Sequence, residues 1–329
     1  MTQFSILDLA PITQGGSAAT ALANSRDLAQ HAERLGFHRY WLAEHHNLPG
    51  IASAATAVVI GHVAAATTTI RVGAGGIMLP NHAPLVVAEQ FGTLESLYPG
   101  RIDLGLGRAS GTDPLTAHAL RRTLASDPDR FPQDVLELMA YFTPQEGQPV
   151  RAVPGAGLSV PIYILGSSLF GAQVAATLGL PFAFASHFAP AHMLQALQIY
   201  RSAFRASPQL ARPYTILGVN VIAAATDDEA RFLASSGRQS FASLRRGMPI
   251  ELPPPSHEYA KEVQPFGAVP LEQVHSIAMV GTRDTIVEGL RRFIELTGAD
   301  ELMIVSHVYD YAARVRSFEI AADARRELS

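Results

Sequence analysis

Short apolar runs alternate with longer stretches in which apolar positions recur at helical spacing, and this alternation organises most of the chain. Phe4 to Leu9 reads as a strand, Ala18 to Leu35 as a helix, Arg39 to Ala43 as a strand and Ser53 to Ala66 as an alanine-rich helix. Ile70 to Met78, Ala83 to Leu97 and Arg101 to Leu106 repeat the cycle, with Pro84 in a first helical turn, where its missing N–H does no harm. After a segment carrying Pro128, Pro132, Pro144, Pro149 and Pro154, the rhythm resumes with Pro161 to Leu165, a helix from Ser168 to Leu178, and Pro181 to Ala185. Tyr214 to Ala224 and Glu301 to Ser306 add two strands. Strands alternating with helices at this period make βαβ units and a parallel sheet. Eight strand candidates, each followed by a helix or a long excursion, predict an α/β fold of the (β/α)8 TIM-barrel type better than a doubly wound sheet. Residues 1–329 are expected to form one domain. Two insertions interrupt the rhythm after strands four and seven, roughly Thr112 to Ser159 and Ser235 to Gln273. The second, with Leu252-Pro253-Pro254-Pro255, is too proline-rich for a helix throughout and long for an idle loop. It reads as a lid over the barrel rim or as a surface excursion or subunit contact.

Composition narrows the partners. Of 329 residues, 48% are hydrophobic and 16% charged, enough apolar material for a large core. A net charge of -4 and a pI near 6.3 supply no basic surface for nucleic acid or an anionic membrane, so a small-molecule partner is favoured. No signal-peptide pattern and no membrane-length apolar run occur, and the expected location is cytoplasmic. The absence of cysteine excludes disulfides, thiolate metal sites, iron–sulfur clusters and cysteine nucleophiles.

Candidate chemistry collects at strand ends, where barrel enzymes place it. Glu44-His45-His46 closes the second strand and puts a carboxylate beside two imidazoles, whose protonation changes near neutral pH. A metal site is the rival, because His82, His187 and His307 also follow or end strand candidates, yet no His-x-His pair occupies one strand face. Gly75-Gly76 weakens a buried strand unless something approaches its backbone closely, or the helices pack tightly there. Gly105 to Gly111 fails the dinucleotide fingerprint spacing. Within it, Arg108 offers a forked donor for phosphate, or an ion pair to Asp103 or Asp113. Gly166-Ser167-Ser168 precedes a helix and reads as an anion site or as an ordinary N-cap. Phe188, Met193, Phe241, Met248 and Tyr259 are candidates for a pocket lining.

Four segments carry a resemblance: Trp41-Leu42-Ala43-Glu44-His45-His46, Val72 through His82, Tyr98 through Arg108, and Leu178-Gly179-Leu180-Pro181. In this order and spacing the chain resembles the bacterial luciferase-like, flavin-dependent monooxygenase superfamily over nearly its whole length. The resemblance implies a (β/α)8 barrel that binds FMN at the strand C-termini, with His45 catalytic and Glu44 beside it in support. It implies a non-prolyl cis peptide at Gly75-Gly76 against the flavin ring, and phosphate contacts from Arg108, Ser167 and Ser168. The implied activity is oxygenation of a small organic substrate by O2 and reduced FMN, the latter supplied by a separate flavin reductase, with no metal. Use of a deazaflavin coenzyme, or flavin binding without catalysis, are the alternatives. A homodimer packed through helices of the second and third units is implied as well.

Overall fold

Among the described residues, nine parallel strands form the sheet: β1 Gln3–Asp8, β2 Arg39–Leu42, β3 Arg71–Met78, β4 Ile102–Gly107, β5 Ile162–Gly166, β6 Phe182–Phe184, β7 Thr215–Ala223, β8 Ala278–Gly281 and β9 Glu301–Val305. A computed structural model describes residues 2–108, 114–120, 130–261, 266–267 and 275–328. Strands β1 to β6 pair in sequence order, β6 pairs with β7, β7 with β9, and β9 with β1, which closes an eight-stranded barrel. The expected TIM-barrel architecture is thus observed. The ninth strand, β8, was not expected. It pairs with the end of β7, from Asn220↔Ala278 to Ala223↔Gly281, while the pairing of β7 with β9 ends at Asn220↔Val305.

The helices are α1 Ala18–Arg34, α2 Thr56–Ala64, α3 Pro84–Leu97, α4 Pro114–Leu120, α5 Phe131–Phe142, α6 Leu169–Leu178, α7 Met193–Ala203, α8 Asp227–Arg245, α9 His257–Ala260, α10 Arg283–Thr297 and α11 Tyr311–Arg325. Among the described residues, no helix is long and apolar enough to cross a membrane. Helix α8 corrects the second insertion, placed from Ser235 onward: the helix continues to Arg245. Thr226 caps its start, three acidic residues fill its first turn, and no proline occurs before Pro249 to break it.

Side-chain alternation along the strands separates two apolar layers. Tyr40, Leu42, Val72, Leu104, Ile164 and Val219 face outward into the helix layer, whereas Leu7, Trp41, Tyr163, Ile216 and Met303 fill the barrel interior. The lower interior is ionic. Arg39, 3% exposed, donates from Nη1 to Asp103 Oδ2 (2.7 Å) and Tyr163 Oη (2.8 Å), and from Nε to Glu301 Oε1 (2.8 Å). Arg71 Nη2 donates to the other Asp103 oxygen (2.6 Å), Trp41 Nε1 to Asp103 Oδ2 (3.0 Å), and Tyr214 and Ser5 hydroxyls to Glu301. Two cations and two carboxylates therefore join strands on opposite sides of the barrel, each held by neutral donors or acceptors besides. Burial alone would lower the Arg39 pKa, but Glu301 and Asp103 raise it well above the ordinary arginine value.

Removing one member leaves buried charge uncompensated. Arg39→Leu is expected to lower the unfolding free energy by about 3–5 kcal/mol. Urea denaturation followed by circular dichroism measures this, and a loss below about 1 kcal/mol, the range of an exposed pair, would contradict it.

Candidate functional site

A cavity of about 820 Å³ opens at the C-terminal ends of the strands. Its wall runs from His45 beyond β2, through Gly75, Gly76 and Met78 of β3, to Gly107 and Arg108 at the end of β4 and Ser167 and Ser168 beyond β5. The opposite wall holds His187, Asn220 of β7, the inner face of α8, and His307 beyond β9. The structure thus brings six of the seven predicted site residues, His45, Gly75, Gly76, Arg108, Ser167 and Ser168, to one cavity.

The seventh, Glu44, does not line it. Its side chain is 1% exposed, and Nε2 of His46 and Nε2 of His82 each lie 2.8 Å from its Oε1. The Met78 N–H donates to Oε2 at 3.0 Å. Burial would push this carboxyl up, but the bonds from His82, His46 and Met78 hold it below its ordinary value. Glu44 therefore clamps the end of β2 to the end of β3 and to the start of the following helix, with His45 in the clamped loop. Glu44, His46 and His82 place ligand-type atoms within 4.8 Å of one another, but these groups already bond among themselves.

The Gly75–Gly76 peptide is cis, as the resemblance implies, and pairing with β4 shifts register between Ala74 and Ile77. A Cβ at Gly75 would lie 2.8 Å from Leu7 Cδ1, and one at Gly76 would lie 2.7 Å from the Gly105 carbonyl. Backbone excludes a side chain at Gly76, Leu7 and Trp41 crowd Gly75, and the wall there is bare backbone. At the β4–β5 end, the Arg108 guanidinium stacks 4.4 Å over the Phe170 ring. Asp103, a rival partner for Arg108, is taken by Arg39 and Arg71, and Asp113 lies outside the described residues. Ser168 occupies the N-cap of α6 without a side-chain capping bond, so its hydroxyl and the free first-turn N–H groups remain available to an anion. The tail of the glycine segment, residues 109–111, also lies outside the described residues.

Of the pocket candidates, Phe188 and Phe241 line the cavity, whereas Met193, Met248 and Tyr259 do not. Met193 is fully buried in the helix layer and Met248 is largely exposed. After α8, Pro249, Ile250 and Leu252 return across the mouth, where Leu252 exchanges backbone hydrogen bonds with Ile12 and Gln14. Arg238 and Asn220 were missed. Helix α8 presents Ala234, Gly237, Arg238, Phe241, Leu244 and Arg245 at helical spacing, a stripe hidden by reading the chain from Ser235 onward as an insertion.

His187 and His307 are held neutral. Burial, with His307 and His45 nearby, lowers His187 to about 3, and burial, with Arg314 adding to it, lowers His307 to about 4. In the unfolded chain both titrate near 6.5, so that chain binds protons the folded one refuses, and stability falls as pH drops from about 6.5 toward about 4. His307→Gln is expected to flatten the pH dependence of the urea midpoint over that window, and an unchanged slope would contradict a neutral His307.

Known proteins share this sequence and fold over nearly the whole chain. The sequence profile of the family described as luciferase-like monooxygenase matches residues 2–301. A protein named luciferase-like monooxygenase from Escherichia coli strain K12 is 53% identical over 326 residues, covering 99% of this chain and 97% of that protein. The crystal structure of apo-MsnO8 superposes with a TM-score of 0.91 at 35% identity, covering 100% and 99% of the two chains. The FMN complex of the oxygenating constituent of 3,6-diketocamphane monooxygenase from Pseudomonas putida shares the fold, with a TM-score of 0.70 at 19% identity and coverage of 98% and 96%. The chain belongs to the luciferase-like monooxygenase family.

Proposed function

We propose that this protein is an FMN-dependent monooxygenase that uses O2 and externally reduced FMN to oxygenate a small organic substrate. The observation that carries the reading is the pairing, in one cavity, of an anion cradle with a bare backbone wall. Arg108, Ser167, Ser168 and the N-terminus of α6 form the cradle, and Gly75–Gly76 forms the wall. These residues fit FMN: the cradle suits its phosphate, and the wall admits a flat ring with no side chain between. Bound and reduced, FMN supplies the electrons with which O2 delivers one oxygen atom to a substrate and the other to water.

The chain's own groups then have separable tasks. The largely apolar wall and the segment Pro249 to Leu252 across the mouth exclude water from the reacting centre. His45, in the loop clamped by Glu44, takes up or gives a proton at an imidazole nitrogen facing the cavity. A deazaflavin is the alternative carrier. Oxygen consumption with reduced FMN, and none with a reduced deazaflavin, is the result this reading expects. A separate flavin reductase is its partner. Exposed Val58 on α2 and Val86 and Leu97 on α3 support a homodimer through those helices.

Two variants test the assignment. Arg108→Ala is expected to weaken FMN about 10- to 100-fold, the value of a charged hydrogen bond, while leaving riboflavin binding unchanged in a fluorescence titration. Equal weakening of both ligands would place the phosphate elsewhere. His45→Ala should leave FMN affinity within about twofold and lower oxygenation at least about 100-fold. Incorporation of oxygen-18 into products of a metabolite mixture measures this, and undiminished labelling would remove His45 from the reaction.

A further inference from the structure

We propose that Glu44, His46 and His82 bind one divalent transition-metal ion through a carboxylate oxygen and two imidazole nitrogens. None of the three lines the cavity, so the site stands or falls apart from the FMN reading. Charge is the first argument. Asp8, Asp103 and Glu301 are fully buried, and each meets an arginine guanidinium. Glu44 is buried almost as completely, yet among the described residues its ion-pair partners are two imidazoles. A divalent ion supplies a full compensating charge there.

Geometry is the second. Glu44 Oε1 lies 2.8 Å from Nε2 of His46 and 2.8 Å from Nε2 of His82, and the three ligand atoms fall within 4.8 Å of one another. Bonds of about 2.1 Å at right angles put neighbouring ligand atoms about 3.0 Å apart, so both Glu44 contacts match octahedral edges within a few tenths of an ångström. The ion replaces the proton held between carboxylate and ring, and that proton passes to Nδ1 or to solvent. Two imidazoles and one carboxylate leave further positions to water. They suit Zn2+, Ni2+ or Cu2+ better than Mg2+ or Ca2+, which prefer oxygen ligands.

The backbone holds these groups in place. Met78 N–H donates to Glu44 Oε2 at 3.0 Å, which turns Oε1 toward the rings. His82 N–H donates to the Leu79 carbonyl at 3.0 Å and closes the turn from which its ring projects. Asn47, at a φ of +54°, bends the chain directly after His46. The side chains of His82 and His46 are 28% and 15% exposed, so an ion arrives from solvent past the rings. Once bound, it ties the end of β2 to the turn after β3 and steadies the loop that carries His45.

The chain has no cysteine to compete for the ion. Isothermal titration of the untagged, chelator-treated full chain with ZnCl2, NiCl2 and MgCl2 tests the proposal. One Zn2+ or Ni2+ per chain is expected, at least about tenfold tighter than Mg2+. His46→Gln and His82→Gln should each weaken Zn2+ at least about tenfold, while His192→Gln on the exposed surface leaves it unchanged. Zinc should also raise the thermal unfolding midpoint of the wild type and not that of His82→Gln. Zinc bound no more tightly than Mg2+, or a zinc affinity that survives both substitutions, would overturn the site. If a variant fails to fold, the anomalous map of a zinc-soaked wild-type crystal decides. A peak between the three side chains supports the site, and a peak only elsewhere, or none, overturns it.

Discussion

The buried guanidinium of Arg39 is the constraint on which the barrel depends. It stands on β2 and bonds Asp103 on β4, Tyr163 on β5 and Glu301 on β9, so one side chain spans the barrel interior. Both oxygens of Asp103 and both of Glu301 meet donors, and Arg39 donates through Nε and Nη1, which offsets much of the desolvation. The same arrangement forbids any other register of these strands, since a shift by one residue would turn the charges into the helix layer. Ionic packing below frees the upper barrel from filling itself with large side chains. The cavity opens there.

Backbone shape then sets the site. Gly73, Gly76 and Gly105 bring β3 and β4 together so closely that a Cβ at any of them would strike the backbone of the facing strand. The register shift at Ala74 to Ile77 falls between them, and the cavity wall formed there is peptide rather than side chain. Glu44 locks the adjoining loop through His46, His82 and the Met78 N–H. His45 is therefore held at the edge of that wall by a clamp of Glu44, His46 and His82, none of which lines the cavity.

Most of the architecture was legible in the sequence because parallel barrel strands are buried on both faces and read as short apolar runs closed by glycine or proline. Strand β8 escaped because Ala278–Gly281 is only four residues long and pairs with one end of one strand. The Arg39 cluster was not legible: its partners lie 64 and 262 residues away, and only strand register brings them together. Local motifs located His45, Gly75, Gly76, Arg108, Ser167 and Ser168, since each marks a strand end by itself. The contacts of Glu44 needed the β2–β3 pairing to become visible. The close seating of the His187 ring on Gly218 likewise needed the three-dimensional fold.

The cavity is proposed to hold FMN with its phosphate at the β4–β5 end and its ring on the β3 wall. A crystal structure of the protein grown with FMN tests it most directly. The phosphate is expected within hydrogen-bond reach of Arg108 and the Ser167 and Ser168 hydroxyls, and the ring on Gly75–Gly76 with His45 beside it. FMN bound in another orientation or at another place would contradict it.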